Sequence, residues 1–273
     1  MMDGLWVTIM DMGIALAISL LLPVVLLIVW MRKKRGIKMS PFWAGAAVFV
    51  IFSLFLEQVL HYFVLIRPSA LSEFVNGNLW AFALYGALAA GVFEETGRFL
   101  AFKTVLKNKK EKENAITYGI GHGGIESILV VGISMASSMI MVLTIRSLGG
   151  VDGYVALVPE NSRDIVRASL ETLLFTPSYH FLLAGVERVS TIIFHIALSV
   201  LVFSAAHRPG KWYLYPLAIL IHMFLDIFAV LYQKGVLGSL LVVEAGIAVV
   251  TALTAYFAYR VYQEMADTEA EDQ

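Results

Sequence analysis

Cysteine is absent from this 273-residue chain. Its absence excludes a disulfide framework, a thiolate nucleophile and a thiolate metal site, so any metal has to be held by histidine and carboxylate. Charge is scarce too: Asp, Glu, Lys and Arg make up 15% of the residues against 59% hydrophobic, with a mean hydropathy of +0.78. Soluble domains carry roughly 25% charged residues, so the chain reads as a multi-spanning membrane protein in the cell membrane, with the lipid bilayer as its first partner. A net charge of -1 offers no basic surface, and no nucleic acid partner is expected. Positive charge is missing ahead of the first apolar run, where only Asp3 stands. That pattern predicts an uncleaved first helix with its N-terminus outside rather than a cleaved signal peptide. No soluble domain separates the apolar runs and no internal repeat relates them, so residues 1–273 are expected to form a single integral membrane domain.

What is present is a series of seven apolar runs, at 5–31, 42–66, 79–105, 114–143, 180–206, 212–232 and 236–259. The stretch 146–179 is the most hydrophilic connection and has room for a short amphipathic helix at 161–175. An acidic tail at 264–273 is expected to be unstructured. With the N-terminus outside, cytoplasmic ends collect about 13 Lys and Arg, including Arg32 to Arg35 and the run from Lys103 to Lys112, against about 5 on the other side. The fold class predicted is therefore all-α: a polytopic transmembrane helix bundle of about seven spans, N-terminus outside and C-terminus cytoplasmic, with its catalytic core at about 79–232.

Within the third run, GVFEETGRFLAF places Glu94, Glu95 and Arg98 where each charge costs at least about 2.5 kcal/mol to insert. On a helix, Glu94 and Arg98 stand one turn apart and can pair, while Glu95 projects about 100° further round. One carboxylate is then neutralised by the arginine, and the other remains available as a base. The next run opens with YGIGHGGIESI, setting His122 and Glu126 among glycines that let neighbouring backbones approach closely. The fifth run holds Glu187, Arg188 and His195, the sixth His222 and Asp226, and the second Glu57, Gln58 and His61. Counted from the cytoplasmic ends at about 1.5 Å per residue, Glu94 lies roughly 16 Å deep, His122 roughly 12 Å, His195 roughly 18 Å and His222 roughly 15 Å. Four helices therefore present polar groups at one level, which predicts a shared site reached from the cytoplasmic half.

Three imidazoles, from His122, His195 and His222, suffice for a catalytic zinc with an open position; iron or cobalt fits similar donors. Glu126 and Asp226, each four residues after a histidine, can add a ligand or fix a tautomer, and Glu187 stands near the face of His195 two turns before it. Glu94 or Glu95 then serves as the general base. A mechanism without metal, with the histidines binding water or the oxyanion, stands beside this reading. His61, His180 and His207 read as structural groups, and the lysine run as a topology determinant.

In this order, the EETGR run, HGGIE, FHIAL and HMFLD resemble the YhfC family of intramembrane metalloproteases. They are similar in motif order to PrsW-type proteases and, more distantly, to the CaaX-prenyl protease and bacteriocin-processing superfamily. The resemblance covers Glu94 to Asp226 and implies a membrane protease acting on a membrane protein or peptide substrate. It matches Glu94 and Glu95 to the paired glutamates that supply the base and His222 with Asp226 to the terminal histidine motif, and His122 and His195 to the middle of the set. Arg98 stands one residue closer to the glutamates than in the CaaX superfamily, and Thr191 stands where that superfamily has phenylalanine four before its histidine. Either His122 or His195 can hold the middle role. Intramembrane acids and histidines also line proton-coupled transporters, and a non-catalytic scaffold of the same fold would keep the same buried network. A bis-histidine haem protein would use two of the histidines but leave the acids without a role.

Overall fold

The computed structural model describes residues 2–34 and 36–271, with side chains described for 5–34 and 36–265. Nearly all of it is helix, as a bilayer requires of a backbone that has no water to bond with. The long helices are α1 (Met2–Lys33), α2 (Ser40–Ile66), α4 (Leu79–Lys103), α5 (Glu113–Ser147), α7 (Ser178–His207), α8 (Leu214–Gln233) and α9 (Leu240–Glu271). Shorter ones lie in the connections, among them α3 (Ala70–Gly77) and α6 (Arg163–Phe175), the latter in the segment where an amphipathic helix was expected.

Among the described residues, six of the seven long helices are long and apolar enough to cross a membrane. The exception is α4. Its 25 residues reach about 37 Å, ample for a bilayer, but Glu94, Glu95 and Arg98 break its apolar run. The chain is thus a polytopic helical membrane protein. The acidic tail differs from expectation, since α9 continues through it to Glu271; its side chains from 266 onward and residues 272–273 lie outside the described residues.

Helix boundaries follow local chemistry. Pro41 opens α2, where a missing N–H costs nothing. Ser69 caps α3 by accepting from the Ser72 N–H at 3.1 Å, with Ser72 Oγ accepting in return from the Ser69 N–H at 3.0 Å. Asn78 Oδ1 accepts from the Ala81 N–H at 2.9 Å and starts α4. In α2 the stretch Phe49–Glu57 is wound as a wide π-helix, and so is Ser127–Gly132 in α5, directly after Glu126. Such turns recur at functional sites.

Contacts divide the chain into two compact units. The first comprises residues up to Leu22 together with Ser127–Val189. Its core gathers Met12, Ala15, Val131, Met135, Val142 and Phe181, and Gly185 lets α7 meet the backbone of α1 at Ala15. The second comprises Pro23–Glu126 and everything from Ser190 on. There α8 packs along α4, and the start of α2 packs along the start of α5. The Ser190–His207 part of α7 is its centre: Phe194, Leu198, Leu201 and Phe203 are all at most 2% exposed. Outward-facing residues such as Trp43, Phe55, Ile66 and Leu253 are large, apolar and more than half exposed, as lipid-facing positions should be.

Glycine is what lets the second unit close around α5. A Cβ on Gly121 would stand 2.0 Å from the Phe42 carbonyl oxygen of α2, and one on Gly119 would stand 2.5 Å from Ile196 Cα of α7. The GIGHGG run therefore holds His122 between two backbones that touch α5 from different sides.

Candidate metal centre

All the polar groups of the site belong to the second unit and come from α2, α4, α5, α7 and α8. Glu94, Glu95 and Arg98 on α4 are 5%, 0% and 0% exposed, and His122, His195 and His222 are 0%, 3% and 4%. The four helices that the sequence placed at one level do meet there.

The two glutamates have different surroundings. Arg98 Nη1 donates to Glu95 Oε2, and Glu95 Oε1 lies 2.8 Å from His222 Nδ1. This departs from the pairing expected from the sequence, in which Arg98 sits with Glu94. The guanidinium reaches back three residues rather than four, because α8 brings His222 to the same carboxylate and the two donors share it. Glu95 is thereby occupied on both oxygens. Glu94 turns the other way, with Oε2 2.9 Å from His122 Nε2 and 3.9 Å from His195 Nδ1, and Oε1 3.3 Å from Ser53 Oγ of α2.

Glu94, His122 and His195 each present one ligand atom, and these atoms all lie within 4.8 Å of one another. Donors about 2.0–2.1 Å from a tetrahedral metal stand a little over 3 Å apart, so separations of 2.9 and 3.9 Å bracket what such a centre needs. A neutral His122 facing a carboxylate either donates its Nε2 hydrogen or requires a cation between the two. Its Nδ1 is buried without a hydrogen-bond partner, so nothing else fixes the tautomer. The buried group fits a metal ion in donor type and spacing.

His195 has a defined tautomer. Arginine can only donate, so the 3.0 Å contact from Arg98 Nη2 places the lone pair on His195 Nδ1 and the hydrogen on Nε2, which lies 2.6 Å from Glu126 Oε2. That carboxylate stands where an outer partner of a metal-ligating histidine stands. The same lone pair faces Glu94 and His122, so Arg98 and a metal ion would compete for it.

His222 is held on both nitrogens, by Glu95 at 2.8 Å and by Asp226 Oδ2 at 3.4 Å. It stands beside the Glu94, His122 and His195 group, its ring centroid 5.5 Å from that of His195. Glu187 belongs to the first unit, where it pairs with Arg188 at 2.7 Å, and is described with that unit rather than with the site. Two neighbours were not anticipated. Tyr118, fully buried one turn before His122, has its ring 6.0 Å from the Arg98 guanidinium carbon. Ser53 touches Glu94, and its helical spacing four residues before Glu57, itself four before His61, is the pattern that would have revealed it.

The family described as YhfC intramembrane metalloprotease matches residues 18–247. A protein of Bacillus subtilis (strain 168) named "Uncharacterized membrane protein YhfC" is 37% identical over 254 residues, 90% of this chain and 95% of that protein. No solved structure matches the chain. The matched span contains every residue of the buried Glu94, His122 and His195 group and of its neighbours on α4 and α8, and the chain belongs to the YhfC intramembrane metalloprotease family.

Proposed function

We propose that this protein is an intramembrane metal-dependent endopeptidase that hydrolyses peptide bonds in membrane-associated proteins. The observation that carries the reading is the buried Glu94, His122 and His195 group, three potential ligands brought together from three helices of an apolar bundle. A soluble enzyme can gather such groups at its surface; a membrane bundle bears a cost for each, and a metal ion is a partner that compensates them together.

Zinc is the ion that two imidazoles and a carboxylate suit best. Held there, it supplies Lewis acidity toward water and the peptide carbonyl. Glu94 Oε1, the oxygen turned toward Ser53, takes the proton from the attacking water and returns it to the leaving amine. Glu126 keeps His195 in register. Glu95 holds Arg98 and His222 on one carboxylate, and the Arg98 guanidinium, whose Nε has no hydrogen-bond partner, stabilises negative charge on the carbonyl oxygen.

One observation favours a second reading. The Arg98 donation to His195 Nδ1 occupies the lone pair that a metal would take. In a metal-free variant of the same chemistry, Glu94 remains the base and His122 with His195 positions the water. Elemental analysis of protein purified without chelators separates the two. About one zinc per chain, lost in His122→Ala and in His195→Ala but kept in His222→Ala, supports the metal centre. Cleavage of a membrane substrate with no metal in any of these proteins establishes the second reading. Undiminished cleavage by Glu94→Gln would overturn both.

A further inference from the structure

Resting on the hydrolytic reading above, we propose that the site draws its water from the α3 end of the second unit, along a polar path of Ser53, Glu57, His61 and Tyr85 between α2 and α4. The sequence alone placed access at the opposite end, where the lysines are. Exposure around the site decides between the two directions.

Toward the Lys103 end of α4 the site is sealed. Arg98, Tyr118 and Phe102 are 0% exposed, and Phe203 and Leu214 are 1%. The Phe102 ring packs 4.7 Å from Tyr118 and 5.2 Å from Phe203, centroid to centroid. These belong to one continuous apolar cluster in which Leu201 and Leu106 take part, and the polar atoms beside it, such as Tyr118 Oη and Ser204 Oγ, stand on side chains that are 0% exposed.

Toward the other end the side chains are polar, and although Glu57 is 5% exposed, others are accessible. Glu126 is 15% exposed, His61 20% and Asp226 28%. Carboxylates and imidazoles facing hydrocarbon would each cost several kcal/mol, so this exposure is to water. Contacts connect the groups in sequence. Glu94 Oε1 and Glu57 Oε2 each lie 3.3 Å from Ser53 Oγ, Glu57 Oε1 lies 3.2 Å from His61 Nε2, and His61 Nδ1 lies 2.8 Å from Tyr85 Oη.

The chain reaches far enough. Glu94 is 15 residues into α4, about 23 Å from its start, whereas Tyr85 and His61 stand six and five residues from the helix ends that flank α3, about 8–9 Å deep. Ser53 has a single hydroxyl hydrogen for two carboxylate oxygens, so at any moment one of these oxygens has room for a donor that only water or a carboxyl hydrogen can supply. His61 bridges a phenol and a carboxylate through its two nitrogens, an arrangement that accommodates water exchange at either side. A clasp holding α2 against α4 would use the same contacts but would keep a water-borne reagent away from position 53.

The natural absence of cysteine makes the path directly measurable. Ser53→Cys is nearly isosteric and lies on the path. Ser204→Cys replaces a fully buried hydroxyl without a partner in the sealed layer and serves as its counterpart. Each variant, reconstituted in vesicles with known orientation, is treated with a cationic membrane-impermeant methanethiosulfonate reagent from one side at a time. The expected result is modification of Ser53→Cys at least about tenfold faster from the α3 side than from the Lys103 side, with Ser204→Cys unreactive from both. His61→Cys, nearer the mouth, should react faster than Ser53→Cys from the same side. Reaction of Ser53→Cys only from the Lys103 side, or from neither, overturns the path. The readout is independent of proteolysis: the expected labelling in a protein that cleaves nothing leaves the path standing without the hydrolytic reading, and cleavage with reversed labelling does the opposite.

Discussion

At the scale of single residues, two adjacent glutamates of one helix acquire different chemistry from what other helices bring to them. Glu95 carries an arginine and a histidine on its two oxygens, while Glu94 faces two further histidines and a serine. Replacing Glu94 with Gln should lower cleavage by roughly 10²–10⁴ while the protein stays folded, because a proton acceptor is lost and the volume is kept. Arg98→Met should act on stability as well. It leaves the Glu95 carboxylate at 0% exposure without its guanidinium, and breaking a buried pair in this way costs about 3–5 kcal/mol. Denaturant titration in detergent, followed by helical signal, should show the midpoint falling in Arg98→Met and holding in Glu94→Gln. Pairing one helical turn apart was legible in EETGR; which glutamate the arginine would choose was not, since His222 of α8 shares in the decision.

At the scale of elements, the histidine on α5 is placed by the glycines around it. A methyl group on Gly121 meets the Phe42 carbonyl oxygen at 2.0 Å, a backbone atom that cannot move aside without moving α2. Gly121→Ala should therefore destabilise by about 1–3 kcal/mol and reduce metal content, as α2 and α5 separate. Gly86 on α4 makes the contrast: its nearest neighbour is a Val230 methyl at 4.0 Å, so Gly86→Ala should be neutral or stabilise by up to about 1 kcal/mol through helix propensity. Thermal unfolding of the two variants beside wild type checks both. The glycine run announced a close helix contact from the sequence, because so many glycines in one helix are costly unless something replaces their missing side chains. The wide turns of α2 left no comparable trace, since they depend on how neighbouring helices load the backbone.

At the scale of the whole molecule, a metal bound as proposed between α4, α5 and α7 would tie three helices that are distant in sequence, so its binding energy would also be folding energy. At a free zinc concentration of 100 times the dissociation constant, stability should rise by about 2.7 kcal/mol, and a chelator should remove that increment from wild type and have no effect on His122→Ala. Unfolding midpoints with and without chelator test this. The sequence by itself determined that the chain is a helical membrane protein and that Glu94, Glu95, Arg98, His122, His195 and His222 stand near one level. Hydropathy and the cost of buried charge act on each residue locally and can be read one helix at a time. Only the tertiary structure decided that Glu94 rather than His222 stands with His122 and His195 and that Arg98 serves Glu95. Those outcomes depend on how the helices are rotated about their axes, which packing between neighbours sets and which no single helix encodes.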